Sequence, residues 1–253
     1  MGSAAGYVAG EVRRFDYDRY IAGLFAPGPR RRALWAFYGF VLEVGRIRHR
    51  VSEPHVGAIR FQWWREALDG VERRSVVRHN HPVLDELAYG LTSQWLEIRD
   101  LQEVLQLWQQ DFDTSLADDG FFREKEACLG CMAALEFKVA ARILGSSVED
   151  DLFWRSVGLA WGLTRELRDQ REHSDVKGGN AEDMIANARH ALGGVRAALE
   201  SIPTSLMPSL LPLSLVEPWL VRLEKGLEGA PWKPLSPLNR LWRILWAALR
   251  GRF

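Results

Sequence analysis

Cys128 and Cys131 are the only cysteines in the chain, and they stand in a single C-x-x-C spacing. Such a pair serves a metal or a dithiol couple when a second pair or an activating environment completes it. No second pair exists and the run from Ala127 to Leu135 reads as helix, so two small buried side chains in a reducing compartment are expected. His79-Asn80-His81 offers two imidazoles with no third ligand nearby, and Pro82 follows at once, which reads as a solvated loop. Glu166, Asp169 and Glu172 are spaced by three and form an acidic stripe on one helix. Near the C-terminus, Leu238, Leu241, Trp242, Leu245, Trp246 and Leu249 share one side of a last helix. Lys233, Arg240, Arg243, Arg250 and Arg252 surround it, with no acid after Glu228. That is the composition of a helix lying on an anionic bilayer; the alternative is docking on the protein surface with the arginines solvated.

Nearly every segment that must position these residues reads as helix. From Arg30 to Arg50, Leu34, Phe37, Tyr38, Val41, Leu42 and Val44 recur at three- and four-residue spacing, and Pro27 and Pro29 punctuate the start. A second helix is expected from Pro54 to Val71 with Ile59, Trp63, Ala67 and Leu68 inward, so that Trp63 fills core and Trp64 is partly exposed. Pro82 opens a third, to about Glu97. Helices over 99–117 and 121–144 are separated by Asp118-Asp119-Gly120, and Gly145-Ser146-Ser147 closes the second and caps the next. Further helices are expected over 149–173, 181–200, 213–227 and 238–249, with a break from Ser174 to Asn180 and prolines at 203, 208 and 212. The fold class is all-α. No linker divides the composition, so residues 1–253 read as one domain, with 1–15 as a loose N-terminus and 238–253 as a basic amphipathic helix.

The bulk numbers narrow the function. With 33 basic and 33 acidic residues the chain is formally neutral, which gives no sign of a nucleic-acid binder. Hydrophobic residues make up 47% and charged residues 26%, enough for a large core without disulfides or metals. No basic region followed by an apolar core opens the chain, and no run of 18 uncharged apolar residues occurs, so neither a signal peptide nor a membrane span is expected. The expected location is cytoplasmic, with peripheral contact at the inner face of a membrane. Eleven tryptophans imply deep clefts or an interfacial surface.

The segment Asp18 to Leu68, DRYIAGLFAPGPRRRALWAFYGFVLEVGRIRHRVSEPHVGAIRFQWWREAL, resembles the opening helices of the squalene/phytoene synthase family. Gly158 to Asp169, GLAWGLTRELRD, resembles the later helix that carries the family's second metal motif, and ARHALGGVRAALESIP from Ala188 also fits. The resemblance covers nearly the whole chain. It implies an isoprenoid-synthase bundle: antiparallel helices around a central apolar cavity. Active members join two prenyl diphosphates such as farnesyl or geranylgeranyl diphosphate head to head. Paired D-x-x-x-D motifs on facing helices hold Mg²⁺, which neutralises the leaving diphosphate.

At the first motif the family's aspartates align with Gly45 and His49, and Arg46 and Arg48 stand in the same turn. At the second, Asp169 is kept, the other position is His173, and Arg165 stands where active members often have asparagine. The tyrosine-leucine-proline segment that follows is replaced by Val176-Lys177-Gly178-Gly179. The pattern from Glu43 to Pro54 resembles a non-canonical branch that includes the mitochondrial complex I assembly factor of this family.

Two functions are compatible with these residues. One is a pseudoenzyme: an assembly factor with a respiratory-complex or other protein partner, or a scaffold holding a prenyl lipid in the cavity and touching the membrane through Leu238–Phe253. The other is an active or divergent prenyltransferase, with Asp169 catalytic and Asp169, Glu166 and Glu172 holding Mg²⁺. In either case the resemblance implies that Arg46, Arg48, Arg165, Arg168 and Tyr38 would face a diphosphate or lipid phosphate. The competing reading of the arginines is salt bridging with Glu43, Glu166, Asp169 and Glu172.

Overall fold

The computed structural model describes residues 3–51, 53–73, 81–116, 122–145, 148–173 and 180–253, all helix, turn or irregular coil with no strand among them. The chain divides into two compact units, Met1–Gly120 with Val139–Ser146 and Phe121–Lys138 with Ser147–Phe253.

The first unit is built on α1 (Ala4–Phe15), α2 (Tyr17–Gly23), α3 (Gly28–Arg50), α4 (Pro54–Glu72), α5 (Pro82–Thr92) and α6 (Ile98–Leu116), with the end of α7 (Phe122–Ile143). The N-terminus is not loose. Ser3 Oγ caps α1 by accepting from the Gly6 amide at 3.2 Å, and Val8 and Val12 are buried, Val8 against Gly39 of α3. Two valines four apart are enough to dock a helix of this length on its neighbours. In α3, Ala33, Leu34, Phe37, Phe40, Val41, Val44 and Ile47 are all buried, so the helix is covered nearly all round.

In α4 the buried face is Gly57, Phe61, Trp64, Ala67 and Leu68, which keeps Ala67 and Leu68 of the expected set. The expected order of the tryptophans is therefore reversed: Trp64 is core, edge-on to Phe40 at 5.2 Å, while Trp63 and Ile59 are exposed. The anchor is Phe61, which meets Phe112 of α6 at 5.7 Å and rotates the helix by about one residue from the expected face.

Helix α5 stops at Thr92, short of the expected end. Gln94 has φ 58°, Trp95 N–H donates to Gly90 O at 3.1 Å, and Gln94 N–H to Leu91 O at 3.1 Å. This is a Schellman stop with glutamine in the left-handed position, and the Trp95 ring closes it against Tyr89 at 5.8 Å.

The second unit contains the front of α7, α8 (Asp151–His173), α9 (Ala181–Ala198), α10 (Met207–Leu210), α11 (Val216–Leu227) and α12 (Pro237–Arg250), with 3-10 turns at Leu199–Ser201, Thr204–Leu206 and Leu211–Leu215. Asp150 caps α8 by accepting from the Phe153 amide at 3.0 Å; Ser146 and Ser147, the expected caps, lie outside the described residues, as do the breaks at 118–120 and 174–179. Helices α7 and α8 touch through glycines. A Cβ on Gly158 would lie 2.1 Å from the Gly130 carbonyl oxygen, and one on Gly162 would lie 2.6 Å from that of Leu129.

The stretch Thr204–Leu227 is long and apolar enough to cross a membrane by length and composition, which the sequence reading did not single out. Most of it, 72%, is buried inside the molecule. Helix α12 rests on the turn Leu211–Leu215 through a face that buries Ile244 and Ala247.

Cys128 is half-buried and Cys131 exposed, not the two buried side chains expected. Cys131 falls on the outer side of α7, because the inner side is given to Leu129, Met132 and Ala133.

Candidate functional site

The first set of family-motif positions lies on α3. Gly45 is buried against α6, where a Cβ would meet the six-membered ring of Trp108 at 3.0, 3.2 and 3.3 Å. One residue on, Arg46 Nη1 donates to Glu43 Oε1 at 2.5 Å and to Glu11 Oε2 of α1 at 3.1 Å, and its guanidinium lies 3.9 Å from the Phe15 ring centroid. Arg48 Nη1 donates to Asp111 Oδ2 of α6 at 3.0 Å, and that carboxylate is buried. His49 belongs to the helix, and its side chain lies outside the described residues. Tyr38 is buried on α3 with the Arg19 guanidinium 5.1 Å from its ring centroid.

His81 lies in the same unit and is not a solvated loop residue; His79 and Asn80 lie outside the described residues. Its half-buried ring stands 5.3 Å from Trp64 and 5.6 Å from Trp63. Burial pushes the imidazole below its ordinary pKa, opposed by the charges of Glu43 and Asp85. The tryptophan pair on α4 supplies the cover that the loop sequence alone does not reveal.

The second set lies on α8. Arg165 Nη1 donates to both oxygens of Glu136 of α7, at 3.1 and 3.3 Å, and Glu136 is only 1% exposed. The Arg168 guanidinium sits 3.9 Å from the ring centroid of Trp219 of α11. Glu166 is buried and its Oε1 accepts from Gln170 Nε2 at 2.8 Å. Asp169 is half-buried and Glu172 exposed, so the three acids of the stripe stand in three different environments. The His173 side chain lies outside the described residues. Among the described residues no three His, Cys, Asp or Glu side chains gather closely enough to hold a metal ion.

Three motif-region arginines thus have carboxylate partners inside their own units. Of the partners expected from sequence, Glu43 is met on Arg46; the others found, Glu11, Asp111 and Glu136, were missed. A signal was available: Glu136 sits in the apolar run Ala133-Ala134-Leu135-Glu136-Phe137, and Asp111 beside Trp108 and Phe112. Acids at such helix positions are buried only when paired. In these surroundings Arg48 and Arg165 neutralise buried acid and Arg46 half-buried acid, and each guanidinium is held to a direction by its partner.

Residues 12–181, well over half of the chain, match the family described as squalene/phytoene synthase. The chain belongs to the squalene/phytoene synthase family. This family member is also similar to complex I assembly factors. It is 30% identical over 90 residues to bovine (Bos taurus) NADH dehydrogenase (ubiquinone) complex I, assembly factor 6, a match covering 34% of the chain and 26% of that protein. The human protein of the same name is 28% identical over 90 residues, again 34% and 26%. The Drosophila melanogaster homolog is 31% identical over 100 residues, 38% of the chain and 30% of that protein. The matches thus span between about a quarter and a third of those relatives' own length.

Among the described residues, the motif positions of this squalene/phytoene synthase family member do not gather the oxygens that the Mg²⁺ ions implied by the family need. A glycine has no oxygen to offer, Trp108 fills the space beside it, and Glu166 is turned to Gln170. Hard cations need several convergent oxygens, and one half-buried aspartate with an exposed glutamate does not provide them.

Proposed function

We propose that this family member is a pseudoenzyme that serves the assembly of a respiratory NADH dehydrogenase complex, working as a scaffold at the membrane where such a complex is built. The observation that carries the reading is the fate of the motif positions. Gly45 is closed by Trp108, and Arg46, Arg48 and Arg165 are engaged by Glu43 and Glu11, by Asp111 and by Glu136. Diphosphate departure needs preorganised positive charge where negative charge develops, and losing one such donor costs roughly two to three orders of magnitude in rate. Here the positive charge beside the motif is already spent on internal acids. The similarity to complex I assembly factor 6 supports the same reading. A prenyl lipid held in the bundle belongs to it as the inherited ligand class.

Two experiments test it. Purified protein incubated with farnesyl or geranylgeranyl diphosphate gives no Mg²⁺-dependent product; product that a chelator abolishes overturns the reading. In a strain lacking the gene, assembled complex and NADH:quinone activity fall, and both wild type and Asp169→Asn restore them. Restoration by wild type but not by Asp169→Asn would return the function to chemistry at that carboxylate.

A further inference from the structure

Arg46, Arg48 and Arg165 of the motif regions have carboxylate partners; among the described residues, Arg243 and Arg250 of the last helix have no Asp or Glu within 4.0 Å. Between α11 and α12, within the second unit, runs a groove of about 790 Å³ lined by Arg196, Arg222, Lys225, Arg243, Arg250 and Arg252. The one acid that lines it is Glu217, and Arg189 already holds that carboxylate at 3.0 Å. Among the described residues none of the six cations has an Asp or Glu carboxylate within 4.0 Å. Their contacts are with main-chain oxygens, an amide side chain and an aromatic ring. Arg196 donates to the Phe253 carbonyl at 3.0 Å, Arg222 to the Lys233 carbonyl at 2.5 Å and Arg243 to the Asn239 side chain at 2.9 Å, while Arg250 lies 4.2 Å from the Trp246 ring centroid. The groove is thus lined by positive charge that no Asp or Glu side chain pairs.

Beside the groove is a surface that water does not favour. Helix α12 docks through Ile244 and Ala247, and a second apolar side stays outside: Leu238 is 78% exposed, Trp242 61% and Leu249 73%. At 100° per residue these three fall within one narrow stripe, with Arg243 and Arg250 on its flank. The indoles of Trp242 and Trp246 stack at 5.9 Å along its border. The sequence left open whether this helix docks on the protein or faces a bilayer; the structure gives it one face for docking and another free.

We propose that α12 and the groove beside it form a docking face for an anionic lipid bilayer. Leu238, Trp242 and Leu249 enter the headgroup boundary, and the arginines of the groove receive a phosphate-bearing headgroup. The charge decides the occupant. An apolar stripe alone fits any partner, whereas an apolar stripe beside six cations without Asp or Glu partners fits a surface that is apolar below and phosphate-rich above. The proposal takes from the assembly reading only that the protein works at a membrane, and vesicle binding is measured without any respiratory complex, so either can fail alone.

The test is co-sedimentation of the full chain with vesicles of phosphatidylcholine alone and of phosphatidylcholine with phosphatidylglycerol. The protein sediments with the anionic vesicles and much less with the neutral ones. Trp242→Ser with Leu249→Ser abolishes sedimentation; both side chains are exposed, so thermal unfolding stays as in wild type. Arg243→Gln with Arg250→Gln lowers partitioning onto anionic vesicles roughly thirty-fold, at about five-fold for each cation lost near such a surface. Inorganic phosphate at matched ionic strength leaves vesicle binding unchanged. The proposal is overturned by no sedimentation with anionic vesicles, by unaltered sedimentation of the serine variant, or by phosphate that displaces the protein. It is overturned too by a dimer in light scattering that the serine variant loses.

Discussion

Trp108 stands where a side chain on residue 45 would have to go: a Cβ there would lie 3.0 Å from Trp108 Cη2. The first motif is thus closed by a neighbour as well as lost by substitution. Gly45→Asp is expected to lower unfolding free energy by about 3 kcal/mol, combining overpacking with a poorly solvated carboxylate. Trp108→Ala added to it relieves the clash, so the double variant is less destabilised than the sum of the singles. Urea denaturation of the four proteins measures this; strict additivity would acquit Trp108.

Arg48 and Asp111 form a pair whose acid is the more deeply buried member. Arg48→Met leaves that carboxylate without this partner and is expected to cost about 3 kcal/mol. Arg48→Met with Asp111→Leu recovers most of the loss, because an apolar replacement removes the desolvated charge as well. The same pattern is expected for Arg165→Met and Glu136→Leu. If the single variants unfold at the wild-type urea midpoint, the pairs do not carry the helix contacts assigned to them.

His81 makes stability depend on pH. Its folded pKa lies below the ordinary histidine value of 6.5 because burial disfavours the imidazolium. The unfolded chain therefore binds the proton more readily, so stability is full above pH 6.5 and is lost as pH falls through the lower folded value. Unfolding midpoints measured downward from neutral pH should fall more steeply for wild type than for His81→Gln. Parallel curves would mean that the ring titrates as it does in the unfolded chain.

Glycines of the second unit separate packing from propensity. Gly158→Ala pushes a methyl to 2.1 Å from a carbonyl oxygen and is expected to cost about 3 kcal/mol. Gly193, on α9, has nothing within 4 Å of a Cβ, and Gly193→Ala is expected to stabilise by about 0.5–1 kcal/mol. Thermal unfolding of the two proteins should move in opposite directions.

What the sequence made legible was local. Helix α3 after Pro27, the α8 span and the amphipathic α12 all follow from apolar spacing and punctuation. The end of α5 did not, because glutamine rarely takes the left-handed position that stops that helix; the stop depends on Trp95 folding back on Tyr89. The partners of the arginines were hidden for a different reason. Arg46 and Glu11 are 35 residues apart, Arg48 and Asp111 are 63 apart, and Arg165 and Glu136 are 29 apart. Helix spacing reports only neighbours three or four positions away, which is how Glu43 was found and Glu136 was not. The reversed roles of Trp63 and Trp64 mark the same limit, since the choice belongs to Phe112 on another helix.

In a chain whose formal charge is zero, the cations of the α11–α12 groove must be balanced by acids standing elsewhere. A neutral body with separated charge feels little net pull from a distant charged surface, but it does feel a torque. Such a molecule turns before it is held. Because salt screens over about 8–10 Å under physiological conditions, that turning is confined to the last nanometre of approach. Ionic strength would then act on how often an encounter is correctly oriented, in a protein whose net charge alone predicts no salt dependence.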